Sequence, residues 1–311
     1  MRIRATVAAV SGALALSAFV VPAAHAADGS ATPSKADILK LREAAHGASS
    51  GKTAFAASDD SGSPYAMDVT FSNFKIAGAV KVGTTNHVST TVTYTLTHGS
   101  DVDITADDFV TGPYLYKGSY DTPDNMLFGN APATCKITSS TTASCTGLID
   151  IYPGPDDEEL VNSDAGTWHG AALAIAYNGQ DPNSADFDIT KVGYADQGGL
   201  GTTLVQRNST LTVNASPEPV TKGRTITVTG KLARANWEDH HYHGYTGQSV
   251  KLQFRKKGSS TYTTLKTIKT DSTGNLKTTT TASVDGYYRY SFAGTTTTPA
   301  VNAAGDFVDV Q

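Results

Sequence analysis

From Tyr65 onward the chain alternates apolar with polar residues at period two, and this pattern constrains the fold more than any other feature. Met67/Val69/Phe71, Val88/Val92/Tyr94/Leu96, Leu173/Ile175/Tyr177 and Leu211/Val213 each fall on one side of an extended segment, with Gly, Asn, Asp and Pro turns between them. Threonine clusters in the same runs, at Thr90 to Thr97 and Thr278 to Thr281, and β-branched residues favour a pleated, half-buried surface. The class predicted is all-β. Seven short strand candidates follow Arg207: Thr210 to Asn214, Arg224 to Lys231, Ser249 to Phe254, Tyr262 to Thr270, Leu276 to Ala282, Tyr287 to Phe292 and Ala304 to Val310. Such spacing matches a two-sheet sandwich.

Charge divides the 311 residues further, although the formal total is only −5. Residues 27–206 hold 9 Lys/Arg against 22 Asp/Glu, a balance of −13, whereas 207–311 hold 13 against 7, a balance of +6. The glycine-rich Asp196-Gln-Gly-Gly-Leu-Gly201 lies close to this reversal. The expected organisation is an acidic sandwich over 65–201 and a basic one over 207–311, preceded by a leader over 27–64. Within the leader, Ser34 with Asp37 three residues on, and Gly47 beyond Ile38 to His46, punctuate one short helix.

Residues 1–26 carry a basic start at Arg2 and Arg4, an apolar run from Ala5 to Val21, and small residues at Ala24 and Ala26. They read as a secretory signal peptide, with no later run long enough to span a bilayer. The expected location is extracellular, free of the membrane. In an oxidising compartment Cys135 and Cys145, placed symmetrically about Ser140, are expected to face each other across a hairpin and form a disulfide.

Val250-Lys-Leu-Gln-Phe-Arg-Lys-Lys-Gly258, the segment Tyr262 to Gly274, and Asp285-Gly-Tyr-Tyr-Arg-Tyr-Ser-Phe-Ala-Gly294 resemble bacterial immunoglobulin-like domains of secreted actinobacterial proteins. The resemblance implies two tandem Ig-like β-sandwich domains, and it assigns no functional residue. Some proteins of this kind carry a calcium-binding label.

Local groupings narrow the chemistry. Asp101, Asp103, Asp107 and Asp108 form one acidic bunch, with Asp156-Asp157-Glu158-Glu159 and Asp181 to Asp188 as others; calcium takes six to eight such oxygens, yet no EF-hand spacing is present. His241 and His243 share a side of an extended segment near Asp239 and are candidate transition-metal ligands, against a reading as solvated loop residues. Lys251 and Arg255 face away from Val250, Leu252 and Phe254, and with Lys256, Lys257 and Lys277 they outline a basic patch suited to anionic polymers of a cell envelope. Nucleic acid is not expected, because the aromatics read as core residues. Gly47 to Thr53 falls one residue short of a phosphate loop. There is no G-x-S-x-G elbow, and the acids cannot be assigned as a glycosidase pair.

The expectation is a secreted, non-catalytic binding or structural protein with no required cofactor and an envelope polymer or an extracellular protein as partner. A calcium-dependent adhesion-like module and a hydrolase with dispersed residues are the alternatives.

Overall fold

A computed structural model describes residues 33–49, 62–155 and 159–311. The signal peptide, most of the leader, the Gly51-Lys52-Thr53 end of the glycine loop, and Asp156, Asp157 and Glu158 lie outside these residues. Helix α1 (Lys35–Ser49) comes first. The capping pattern is present as expected: Asp37 N donates to Ser34 Oγ at 3.2 Å and Ser34 N donates to Asp37 Oδ2 at 3.2 Å. The helix runs two residues past Gly47.

Strands β1 (Tyr65–Ala66), β2 (Val69–Lys75), β3 (Ala79–Val82), β4 (Val88–His98), β5 (Phe109–Gly118), β6 (Pro123–Phe128), β7 (Thr134–Ser139), β8 (Thr142–Ile151), β9 (Gly166–Ala176) and β10 (Gly193–Arg207) build the first sandwich. One sheet has the order β2-β4-β8-β7; the other runs β1-β10-β9-β5-β6, with β3 parallel to β10. Read as A-B-E-D against G-F-C-C′, this is the strand order of an immunoglobulin sandwich. Trp168 on β9, with Val92, Leu96, Leu115 and Ile149, fills the space between the sheets.

The second sandwich contains β11 (Ser209–Leu211), β12 (Asn214–Ser216), β13 (Thr225–Ala235), β14 (Tyr242–Gly244), β15 (Ser249–Lys256), β16 (Thr263–Lys269), β17 (Asn275–Thr281), β18 (Gly286–Phe292), β19 (Val301–Asn302) and β20 (Asp306–Val308). Here β13 pairs with β11, β12, β14 and β17, while the second sheet runs β16-β15-β18 with β19 and β20 on β18. The order again matches A-B-E against C′-C-F-G. Tyr290 OH donates to the Val228 carbonyl at 2.8 Å, tying the sheets through the core.

The hairpin disulfide forms as the symmetry about Ser140 predicts. Cys135 pairs with Cys145 across β7 and β8, with the sulfurs bonded. It joins two strands of one sheet, unlike the inter-sheet bridge that marks antibody domains.

Two features depart from the sequence reading. The glycine-rich run 196–201 lies inside β10 as a bulge, where the pairing with β9 shifts between Gln197 and Gly201. Gly199 has φ +70°, and a Cβ on Gly198 would meet the Tyr120 ring at 2.3 Å, so backbone conformation and close packing both require glycine there. Secondly, the segment Trp237 to His243, read as a solvated loop, is solvated at Glu238, Asp239 and His241 to His243, but Trp237 is an inter-sandwich clasp. Trp237 is 1 % exposed and belongs to the first core, with Nε1 donating to the Gly83 carbonyl at 2.9 Å. Around it Asn162 Nδ2 donates to Asn236 Oδ1 at 2.6 Å, and Asn208 N donates to the Val82 carbonyl at 2.8 Å. Among the described residues none of the ion pairs crosses this seam. The described contacts of this seam are therefore apolar packing and hydrogen bonds, among them Glu238 Oε1 accepting from Asn162 N at 3.3 Å.

Candidate functional site

Alternation in β15 and β18 sorts their side chains onto two faces. Val250, Leu252, Tyr288 and Tyr290 go to the core, while Lys251, Gln253, Arg255, Tyr287 and Arg289 take the outer face. The antiparallel register sets Gln253 opposite Arg289 and Arg255 opposite Tyr287, and β20 adds Phe307 beside Tyr287. On this lattice the cations stack against rings. The Arg289 guanidinium carbon lies 3.8 Å from the Tyr262 ring centroid, and that of Arg255 lies 4.1 Å from Tyr287 and 5.3 Å from Tyr262. Tyr262 thus sits between the two arginines. A Cβ on Gly305 would meet the Tyr262 hydroxyl at 2.2 Å, so glycine at that position makes room for the ring.

Polar contacts hold the guanidinium planes without neutralising them. Arg289 Nε donates to Gln253 Oε1 at 2.9 Å, and Arg255 donates to the Ser259 carbonyl at 2.6 Å. Among the described residues no carboxylate lies within 4.0 Å of either arginine. A guanidinium stacked on a ring keeps its N–H donors in the plane, aimed past the edge of the ring, which suits a planar or tetrahedral oxyanion. Lys257, by contrast, pairs with Asp285 at 3.2 Å and lies 5.4 Å from the Phe307 centroid.

Of the five residues named from sequence as a basic patch, Lys251 and Arg255 share this face. Lys256 is exposed at the strand end with the opposite alternation. Lys277 is on β17 opposite Thr229, in the other sheet. The expectation that aromatics serve only the core fails for Tyr262, Tyr287 and Phe307, whose rings face the cations outside it. Alternation within Tyr287-Tyr288-Arg289-Tyr290 already carried that information, and it also marks Arg289, which the sequence reading passed over.

Among the described acids, several hold turns. Asp103 Oδ1 accepts from Thr105 N at 2.9 Å and from its hydroxyl at 2.6 Å; Asp188 does the same for Thr190, and Asp271 for Thr273. Asp108 Oδ2 accepts from Gly179 N at 2.6 Å. Asp101 and Asp107 are exposed in the same connection after β4. After Trp237, Asp239 accepts from His241 N at 3.1 Å and pairs with His243 Nε2 at 2.6 Å, while the His241 ring turns to the Asp239 carbonyl. Among the described residues no three His, Cys, Asp or Glu side chains gather in a metal-holding group.

These hydrogen bonds depress carboxylate pKa values. Asp271 falls to about 2, held chiefly by the Thr273 and Asn275 backbone N–H groups, and Asp103 and Asp188 are lowered chiefly by the hydroxyls of Thr105 and Thr190. A carboxylate whose folded pKa lies below its unfolded one contributes stability that is complete above the unfolded value and vanishes as pH falls through the folded value. Melting temperature should accordingly hold steady above the ordinary 3.8 and drop between there and about 2, with D271N making the lower part of that fall shallower. A differential scanning titration checks this; a profile for D271N that overlays the parent would show the turn carboxylate to be uninvolved.

One grouping on the outer side of the first sandwich was not read from sequence. Asp150, 5 % exposed, accepts from Asn130 N at 2.9 Å, from His87 Nε2 at 2.9 Å and from the Ser89 hydroxyl. The His87 ring stacks on Tyr152 with centroids 4.3 Å apart. Ser, His and Asp suggest a triad, but one nitrogen, Nε2, faces both Asp150 and Ser89, at 2.9 and 3.2 Å. A triad needs the histidine to link serine and aspartate through its two different nitrogens. Burial raises the Asp150 pKa, yet the bonds from Ser89, Asn130 and His87 outweigh it and lower the value overall, as suits an anchor for the loop after β6.

No protein-family model matches the chain, and no curated protein matches it. Solved structures that align include the mouse nectin-like molecule 4 full ectodomain (Ig1-Ig3), at 12 % identity and TM-score 0.23 over 78 % of this chain and 65 % of that one. The Yersinia pseudotuberculosis adhesin InvE aligns at 13 % identity and TM-score 0.21 over 76 % and 56 %. The amphioxus IgVJ-C2 molecule aligns at 13 % and 0.24 over 73 % and 96 %. The chain spans 65 % or less of the first three of the aligned structures.

Proposed function

We propose that this chain is a secreted, non-catalytic binding protein whose β15/β18 face holds an anionic polymer of the extracellular surface. The observation that carries the reading is the pair of ring-stacked arginines, Arg255 and Arg289, with no carboxylate within 4.0 Å among the described residues. Repeated oxyanions along a polymer would meet Lys251, Arg255 and Arg289 on one sheet face, and attraction of this kind weakens as salt rises. Secretion is supported by the signal-like residues 1–26 and by the Cys135–Cys145 bond, and no helix among the described residues is long and apolar enough to cross a membrane.

The test uses the full chain, because Trp237 fastens the second sandwich into the first core. At low salt the protein should co-sediment with cell-wall polymer. The R255A/R289A variant should bind roughly tenfold or more weakly, about 1.4 kcal/mol, while its melting temperature changes little. Equal sedimentation of variant and parent, or no sedimentation of the parent at low salt, would overturn the reading.

A further inference from the structure

Among the described residues, four buried side-chain polar atoms lack a well-formed hydrogen bond, namely Arg42 Nε, Tyr120 OH, Tyr177 OH and Tyr194 OH, with Arg42 Nε held instead by its ion pair with Asp196. All four lie where α1 covers the outer face of the β10-β9-β5 sheet. Native interiors satisfy nearly all such groups, so their confinement to one seam sets α1 apart from the rest of the packing. A helix of 15 residues is also near the lower limit of independent stability.

Asp196 of β10 is the centre of this seam, with its side chain 8 % exposed. Its Oδ2 accepts from Tyr114 OH at 3.2 Å, lies 3.4 Å from Arg42 Nε, and is 3.1 Å from His46 Nε2. The Arg42 guanidinium carbon is 5.1 Å from the Tyr120 ring centroid, and Arg42 Nη2 donates to the Tyr120 carbonyl. Burial first, and the Asp196 charge with it, pushes the Tyr120 and Tyr194 phenols well above their ordinary range, so they stay neutral around the carboxylate. A buried carboxylate walled by aromatic faces and neutral phenols is matched by a guanidinium, which is planar, weakly hydrated and able to stack. The seam is not sealed: an open groove of about 780 Å³ beside α1 is lined by Arg42, His46, Asp121, Asn125 and Met126 among others.

We propose that Tyr114, Tyr120, Tyr194 and Asp196 form a receptor site for an arginine carried on an amphipathic helix, and that α1 is its tethered occupant. The recognised pattern is that of α1 itself, with Ile38, Leu41 and Ala45 on the apolar sheet face and Arg42 in the cage. The site is separate from the Arg255/Arg289 face, and neither depends on the other.

The test is made on the full chain. In hydrogen exchange, amides of α1 should open without global unfolding, at lower cost than those of β9. A fluorescein-labelled peptide of residues 33–49 should bind the intact protein saturably, and the same peptide carrying R42A should bind roughly tenfold or more weakly. In the R42A protein, millimolar methylguanidinium should raise the melting temperature saturably, whereas in R42A/D196N it should not. If R42A does not fold, the two peptides on the unmodified chain decide. Exchange of α1 only through global unfolding, or equal binding of the two peptides, would overturn the proposal.

Discussion

Replacing Trp237 by alanine is expected to lower the unfolding free energy by about 3–5 kcal/mol, the usual cost of emptying a fully buried aromatic site. The residue follows β13 of the second sandwich, yet its indole fills the first core and its Nε1 donates to the Gly83 carbonyl. The loss should therefore appear in the first sandwich: hydrogen exchange would speed up in β3 and β4 ahead of β15 and β18. W237F, which keeps most of the volume and loses the N–H, should cost less, about 1–2 kcal/mol. Because no ion pair crosses the seam among the described residues, the W237A penalty should change little between low and high salt. Denaturant titration at two ionic strengths measures both. A penalty below ~1 kcal/mol would mean that the clasp is dispensable.

Removing the disulfide ranks second. C135S/C145S should destabilise the chain by about 2–3 kcal/mol, the value expected when a short loop no longer restricts the unfolded chain. Strand β7 has little else to hold it. It lies at the edge of its sheet, and apart from the half-buried Cys135 its residues are exposed, Ile137 at 55 %. Cys145 on β8 is fully buried, so one half of the bridge is anchored in the core. Amides of Lys136 to Ser139 should lose protection before the rest of the sheet. Unfolding midpoints that coincide with and without reductant would show that β7 stays paired by its backbone alone.

Much of the fold is legible locally. Period two in Val88 to Leu96 and in Leu173 to Tyr177 became β4 and β9 together with the start of the loop beyond β9, and six of the seven strand candidates after Arg207 have clear counterparts in β13, β15, β16, β17, β18 and β20. The Cys pair met across its hairpin because ten residues of separation and a central turn leave few other registers. Asp-x-Thr at Asp103 and Asp188 was equally legible as a turn signal; reading those acids as members of two acidic bunches overlooked the hydroxyl two residues on. For the candidate site, alternation placed Lys251 and Arg255 together, and the same rule applied to β18 yields Tyr287 and Arg289. Tyr262 is different, since its ring reaches the two arginines from the segment before β16, a position that no strand periodicity specifies.

The amino-acid sequence by itself determined the strand class, the hairpin disulfide, the capping of α1 and the outward cations of β15, because each depends on residues a few positions apart and on the geometry of a pleat or a helical turn. Only the tertiary structure decided that Trp237 belongs to the first core, that the glycines after Asp196 form a bulge, and that Arg42 meets Asp196 across more than a hundred residues. Those contacts join surfaces created only when whole sheets have twisted and packed. Their partners are chosen by shape, burial and unmet hydrogen bonds at long range, to which hydrophobic period and net charge are blind.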